Sequence, residues 1–126
     1  YVLASDTVVG VGRRILPKTE DRAEAERCLR LLSGRNHRVF TGVAVRAPDG
    51  RETSRVVETK VAFKRLSEAE IAAYLESGEW SGKAGGYGVQ GRAGAYVVRL
   101  IGSHSAVVGL PVYETRQMLT GLGYVF

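Results

Sequence analysis

A lysine and an amide bracket the most unusual run in this 126-residue chain, Lys83-Ala84-Gly85-Gly86-Tyr87-Gly88-Val89-Gln90-Gly91. Five of the ten positions from 82 to 91 are glycine (Gly82, Gly85, Gly86, Gly88 and Gly91), and Gly94 follows. A helix loses roughly 1 kcal/mol per glycine relative to alanine, and a run without β-carbons has nothing to bury. The stretch therefore predicts a sharply bent loop that presents backbone N–H groups and lets an anion approach closely. Lys83 adds a charge, and Gln90 adds an amide that both donates and accepts. Composition alone supports two readings equally, a cradle for a nucleotide and a flexible loop.

A second polar cluster, Ser5-Asp6-Thr7, interrupts two apolar segments, Tyr1-Val2-Leu3-Ala4 and Val8-Val9-Gly10-Val11. Both segments read as strand. An acid wedged between them predicts a buried carboxylate, which must be hydrogen-bonded, metal-bound or protonated. An aspartate in a strand bulge is the competing structural reading. Two hydroxyls beside the acid suit a metal or a phosphate. Other reactive types are less promising. Cys28 falls on an apolar helix face with no base beside it and reads as a packed thiol. His37 lies where a strand begins and reads as a surface or capping residue. Trp80 reads as packing against the helix before it, with base stacking as the alternative.

The elements that position these groups follow from periodicity and capping. Gly12-Arg13-Arg14 predicts a turn and Ile15-Leu16 a short strand. Thr19 predicts an N-cap with Glu20 and Asp21 in the first helical turn, where the helix dipole favours acids. Ala25, Cys28, Leu29 and Leu32 then form one apolar stripe, and Ser33-Gly34 closes the helix. Residues 37–47 alternate, with Val39, Thr41, Val43 and Val45 on one face. Pro48-Asp49-Gly50 predicts a turn into a second long strand over 54–66, giving an antiparallel hairpin with one wet face. Ser67-Glu68-Ala69-Glu70 is a capping box, and its helix carries Ile71, Tyr74 and Leu75 inward before stopping at Ser77-Gly78. Residues 95–101 predict a strand, and Gly102–Ser105 a polar turn. Ala106-Val107-Val108-Gly109 reads as a short apolar link. Pro111 opens a last helix with Thr115, Met118, Leu119 and Leu122 as its stripe.

Composition narrows the class. The hydrophobic content of 44% and charged content of 25% are those of a soluble globular domain. No apolar run reaches membrane-spanning length, and no signal-peptide pattern is visible. A single cysteine excludes an internal disulfide, which fits a reducing cytoplasm. The net charge of +5 favours an anionic partner, yet the 18 basic residues are scattered without the block a nucleic-acid tail shows. A start at Tyr1, straight into an apolar segment, reads as the remainder of a longer protein.

Four stretches line up in order: Ser5-Asp6-Thr7-Val8-Val9; Leu31-Leu32-Ser33-Gly34 with His37 and Thr41-Gly42; the glycine run 83–91; and Gly102-Ser103 followed by Val107-Val108-Gly109-Leu110-Pro111. Together they resemble the Maf family of nucleoside triphosphate pyrophosphatases, once described as septum-formation inhibitors. The resemblance implies an α/β fold related to the inosine-triphosphate pyrophosphatase type, an elongated curved mixed sheet flanked by helices, with a cleft between two lobes. Residues 1–126 are then a single Maf-like domain, the C-terminal two-thirds of the full one.

The implied reaction is hydrolysis of a nucleoside triphosphate to the monophosphate and pyrophosphate with a divalent cation, Mg²⁺ or Mn²⁺. Asp-Thr in the first motif and Lys…Tyr-Gly-x-Gln in the loop are similar to the dTTP- and UTP-directed branch, for which modified pyrimidine triphosphates are further substrates. By the same resemblance Asp6 is the proton acceptor and touches the metal. Thr7 and Gln90 bear on substrate choice, and Lys18 and Lys83 contact phosphate. The chain departs from the family pattern where Lys18-Thr19 replaces Lys-Pro. It also lacks the Ser-x-Ser-Pro-Arg-Arg loop and a downstream glutamate; Arg13-Arg14 does not match that arginine pair. The rival expectation is a regulatory module, linked to cell division, that binds nucleotide without turnover. The chain alone is then inactive, and a bare sheet edge invites a homodimer. No membrane or nucleic-acid partner is expected.

Overall fold

Alternation in the two longest strands decides the architecture. A computed structural model describes residues 1–126, and in it the hairpin forms from β3 (Asn36–Arg46) and β4 (Glu52–Phe63), in register from Asn36↔Ala62 to Arg46↔Glu52. Val39, Thr41, Val43 and Val45 are buried on one face, while Arg38, Ala44 and Arg46 are exposed on the other. β1 (Val2–Val11) pairs with the far side of β3, and β2 (Arg14–Leu16) folds back on Val9–Val11. A 3₁₀ turn at Arg92–Tyr96 leads into β5 (Val97–Ile101) on the outer side of β4, through an irregularity at Ala62/Phe63. The sheet order is β2-β1-β3-β4-β5, and every pairing within it is antiparallel. The expected mixed α/β character thus comes from the helices added to an antiparallel sheet.

The helices cover one face at two places. α1 (Arg22–Leu32) and α2 (Glu68–Ser77) build the larger core, in which Leu29, Leu32 and Tyr74 meet Val9, Val39 and Val61. A fully buried leucine such as Leu29 contributes about 1.5–3 kcal/mol. The capping box of α2 is present as predicted: Ser67 accepts from Glu70 N, and Glu70 accepts from Ser67 N. α4 (Val112–Gly121), entered through Pro111, brings Met118 and the following Leu122 onto Val43, Val45 and Ala47 in a smaller core. Between the two, α3 (His104–Val108) sits over β3, where its Ala106 carbonyl accepts from the buried Thr41 hydroxyl at 2.7 Å.

Several expectations are corrected. The Ser5-Asp6-Thr7 break does not exist: β1 is one strand, because those residues pair with Val43, Gly42 and Thr41 without a bulge. Ladder pairing outweighs their weak strand propensity. The apolar link at 106–109 is the end of α3, capped by the Ser103 hydroxyl accepting from Ala106 N. Residues 95 and 96 belong to the 3₁₀ turn, not to β5. His37 is not a surface residue. It shares the buried face of β3 with Val39 and Thr41 and is 2% exposed.

Candidate functional site

The glycine run is held by the segment that follows β2. Thr19 N donates to Lys83 O (3.0 Å), Gly82 N to Thr19 O (2.8 Å) and Gly85 N to Pro17 O (2.9 Å), while Lys18 and Ala84 form an isolated antiparallel bridge. Thr19 is fully buried, and its hydroxyl donates to the Trp80 carbonyl at 2.5 Å. This use of Thr19 explains why it does not cap α1. Asp21 caps instead, accepting from Glu24 N at 2.8 Å. Trp80 packs as expected, its indole N–H donating to Leu75 O at the end of α2. From beneath, the Tyr74 hydroxyl donates to Gly86 O at 2.8 Å.

Two glycines have a specific geometric task. Gly85 has φ +67°, and a Cβ there would meet Val9 at 3.1 Å, so the loop lies on β1 only with glycine at this position. At Gly88 a Cβ would come within 3.1 Å of Gln90 Oε1. Its absence leaves the space into which the Gln90 amide folds.

Held this way, the loop forms one wall of a cleft of about 200 Å³ that is lined by Thr7, Lys83, Tyr87, Gly88 and Gln90, with Val9, Val39 and Val107 among its apolar residues. Three of the predicted site residues, Thr7, Lys83 and Gln90, therefore share one opening although they come from β1 and from a loop more than seventy positions away. The volume is below the usual range for a whole drug-sized ligand. It offers ammonium and amide groups at a partly apolar slot with room for part of a ligand of that size.

Asp6 and Lys18 are placed differently. Successive side chains of a strand point to opposite faces, so Asp6 is directed away from the face that carries Thr7. It borders a shallow depression with Ala4, Gly42, Ala44, Ser54 and Val56 on the open side of the sheet. The expected buried carboxylate is exposed, because it projects onto the sheet face that no helix covers. Its Oδ1 accepts from Thr7 N at 2.9 Å and from Lys18 Nζ at 3.4 Å. The Thr7 N–H first, and then Lys18, hold the Asp6 carboxyl below the usual carboxylate range. Asp6 is thus an ionised group one residue from the cleft lining, tied through Lys18 to the 17–19 segment that anchors the loop.

The chain's own residues do not build a metal cage: no three His, Cys, Asp or Glu side chains cluster. One carboxylate at such an edge suits a cation held mainly by phosphate oxygens and water, as Mg²⁺ commonly is.

Sequence reasoning missed four supports: Thr19, Tyr74, His37 and the α3 valines. For His37 the signal was present, since position 37 continues the 39, 41, 43, 45 alternation inward. For Thr19 there was none, because only the fold brings residues 17–19 to 82–85.

The description "Maf-like protein" belongs to the family model that matches residues 1–122. The chain is 72% identical over 124 residues to a dTTP/UTP pyrophosphatase of Maricaulis maris, covering 98% of this chain and 60% of the relative. It is 65% identical to one of Caulobacter vibrioides, covering 64% of that protein, and 60% identical to one of Hyphomonas neptunium, covering 65%. The chain spans about six-tenths of the length of the curated relatives it matches.

Proposed function

We propose that this chain, which belongs to the Maf-like protein family, is the loop-bearing part of a nucleoside triphosphate pyrophosphatase that hydrolyses dTTP and UTP to the monophosphate and pyrophosphate. One observation carries the reading: Thr7, Lys83 and Gln90, distant in the chain, line a single cleft. The printed name of its relatives supports the substrate class.

In this reading Lys83 neutralises phosphate charge, which matters more to phosphoryl chemistry than a strong base does. Gln90 meets a pyrimidine edge with paired donor and acceptor contacts. Asp6, kept ionised by its neighbours, takes a proton from the attacking water, and Lys18 steadies that carboxylate while adding positive charge beside it. A divalent cation, Mg²⁺ or Mn²⁺, when bound with the triphosphate, lowers the barrier by neutralising phosphate charge and acidifying water. Asp6 is the residue of this chain that would touch it. The buried, unpaired Cys28 agrees with a cytoplasmic setting.

A second reading, a regulatory module that binds nucleotide without turnover, is favoured by the position of Asp6 outside the cleft lining. Pyrophosphate release from each common nucleoside triphosphate by the complete protein with Mg²⁺ tests the proposal. Turnover concentrated on dTTP and UTP is expected. Binding without product supports the second reading, and turnover concentrated on purine triphosphates overturns the substrate assignment.

A further inference from the structure

One buried titratable group plays no part in the chemistry above. His37 Nε2 lies 2.5 Å from the Tyr87 hydroxyl, and no other partner for that hydroxyl exists in the protein. His37 Nδ1 is buried with no partner at all. Phe63 stacks edge-on against both rings, with centroid distances of 5.1 Å to His37 and 4.9 Å to Tyr87. Tyr87 itself lines the cleft, midway between Lys83 and Gln90.

An orphaned ring nitrogen in the core is costly, and a leucine or phenylalanine at 37 would fill the volume without it. What a hydrophobe cannot do is fix the rotation and height of a tyrosine ring through its hydroxyl. The pair is also the only side-chain hydrogen bond from β3 to this loop; the other polar anchors come from residues 17–19 and from α2. We propose that His37 is a positioning residue: by holding the Tyr87 hydroxyl beneath the cleft, it fixes the spacing of Lys83 and Gln90 and so sets the affinity for the nucleotide without touching it. Burial lowers the pKa of His37 to about 4, so near neutral pH the ring is uncharged and the contact is a neutral hydrogen bond.

The statement about nucleotide affinity rests on the proposed function; the statement about loop geometry does not. The test therefore has two readouts in the complete protein. The first is amide hydrogen exchange over residues 83–91, referenced to α1. The second is the split of kcat and KM for dTTP. Tyr87→Phe keeps the ring and removes one oxygen. It is expected to speed loop exchange about tenfold and raise KM by a similar factor, with kcat changed less than twofold. His37→Leu is expected to do the same. His37→Gln, which can place an amide nitrogen near Nε2, restores both readouts to within about twofold of the parent. The double variant His37→Leu/Tyr87→Phe removes both polar partners and regains thermal stability, but not KM. Faster loop exchange in a protein that turns over no nucleotide supports the positioning role and removes the proposed function. Unchanged exchange and unchanged KM in Tyr87→Phe overturn the positioning role. So does a KM that returns to the parent value as thermal stability recovers in the double variant.

Discussion

The glycine loop and the Asp6–Lys18 pair lie on segments bridged by a single ladder contact, yet the fold treats them in opposite ways. The loop is fastened by backbone pairing to residues 17–19, by the Thr19 and Tyr74 hydroxyls, and by the His37–Tyr87 contact. The Tyr74 and His37–Tyr87 contacts are buried, and the Thr19 hydroxyl bond is partly so. The Asp6–Lys18 pair is one long contact of 3.4 Å between side chains that are 73% and 62% exposed. Exposed ion pairs of this kind contribute little net stability. The loop is thus pre-formed, at the cost of a buried unpaired nitrogen and several left-handed glycines. The acid to which the proposed mechanism assigns the proton is left in water.

That contrast predicts that activity and stability separate cleanly between the two regions. The largest effect is expected from Asp6→Asn in the complete protein: dTTP turnover falls about 10²–10⁴-fold, the range for loss of a general base, while the urea midpoint stays put. A shifted midpoint would make Asp6 structural and erase the contrast.

The buried side is next. His37 is held neutral by burial, its pKa lowered from 6.5 to about 4. Between those values the unfolded chain binds the proton that the folded one refuses, so stability rises with pH across this window and falls as acid is added. The share of His37 in the loss from pH 7 down to pH 4 is about 3 kcal/mol. Urea unfolding at the two pH values measures it, and His37→Gln should flatten it. Asp6 has the same sign of dependence, displaced to lower pH, because its carboxyl is also depressed on folding. Its depressed carboxyl keeps the Lys18 contact at any pH above the unfolded value and loses it only as pH falls through the still lower folded value. The acid limb of the rate profile should therefore lie below the ordinary carboxylate range.

Gly85→Ala sharpens the contrast from the loop side. A positive φ and a 3.1 Å approach to Val9 predict a loss of about 2 kcal/mol, read as a lower thermal midpoint, together with weaker nucleotide binding. The smallest effect is expected for Gln90→Ala, an exposed loop residue: stability is unchanged and KM for dTTP rises about tenfold, the worth of one or two hydrogen bonds.

How much of this was legible depends on the range of the determining contact. The α2 capping box, the inward Ile71, Tyr74 and Leu75, the burial of Cys28 and the β3–β4 hairpin all follow from neighbours in sequence, and all are present. The glycine run was legible as a bent loop for the same reason. Its anchorage was not, because the use of Thr19 against Trp80 and Lys83 depends on residues more than sixty positions away. The exposure of Asp6 was misread because the apolar residues on either side do not say which face of β1 the helices cover. Composition suggested a core strand; only the tertiary packing shows Asp6 on the uncovered face.

The central claim is that the cleft lined by Thr7, Lys83 and Gln90 receives the nucleotide, and its most direct test is amide chemical-shift mapping of the complete protein titrated with a non-hydrolysable dTTP analogue and Mg²⁺. The account predicts the largest shifts at Thr7 and across 83–91, with the open-face residues Gly42, Ser54 and Val56 unmoved. Shifts confined to that open face, with the glycine loop silent, would contradict it.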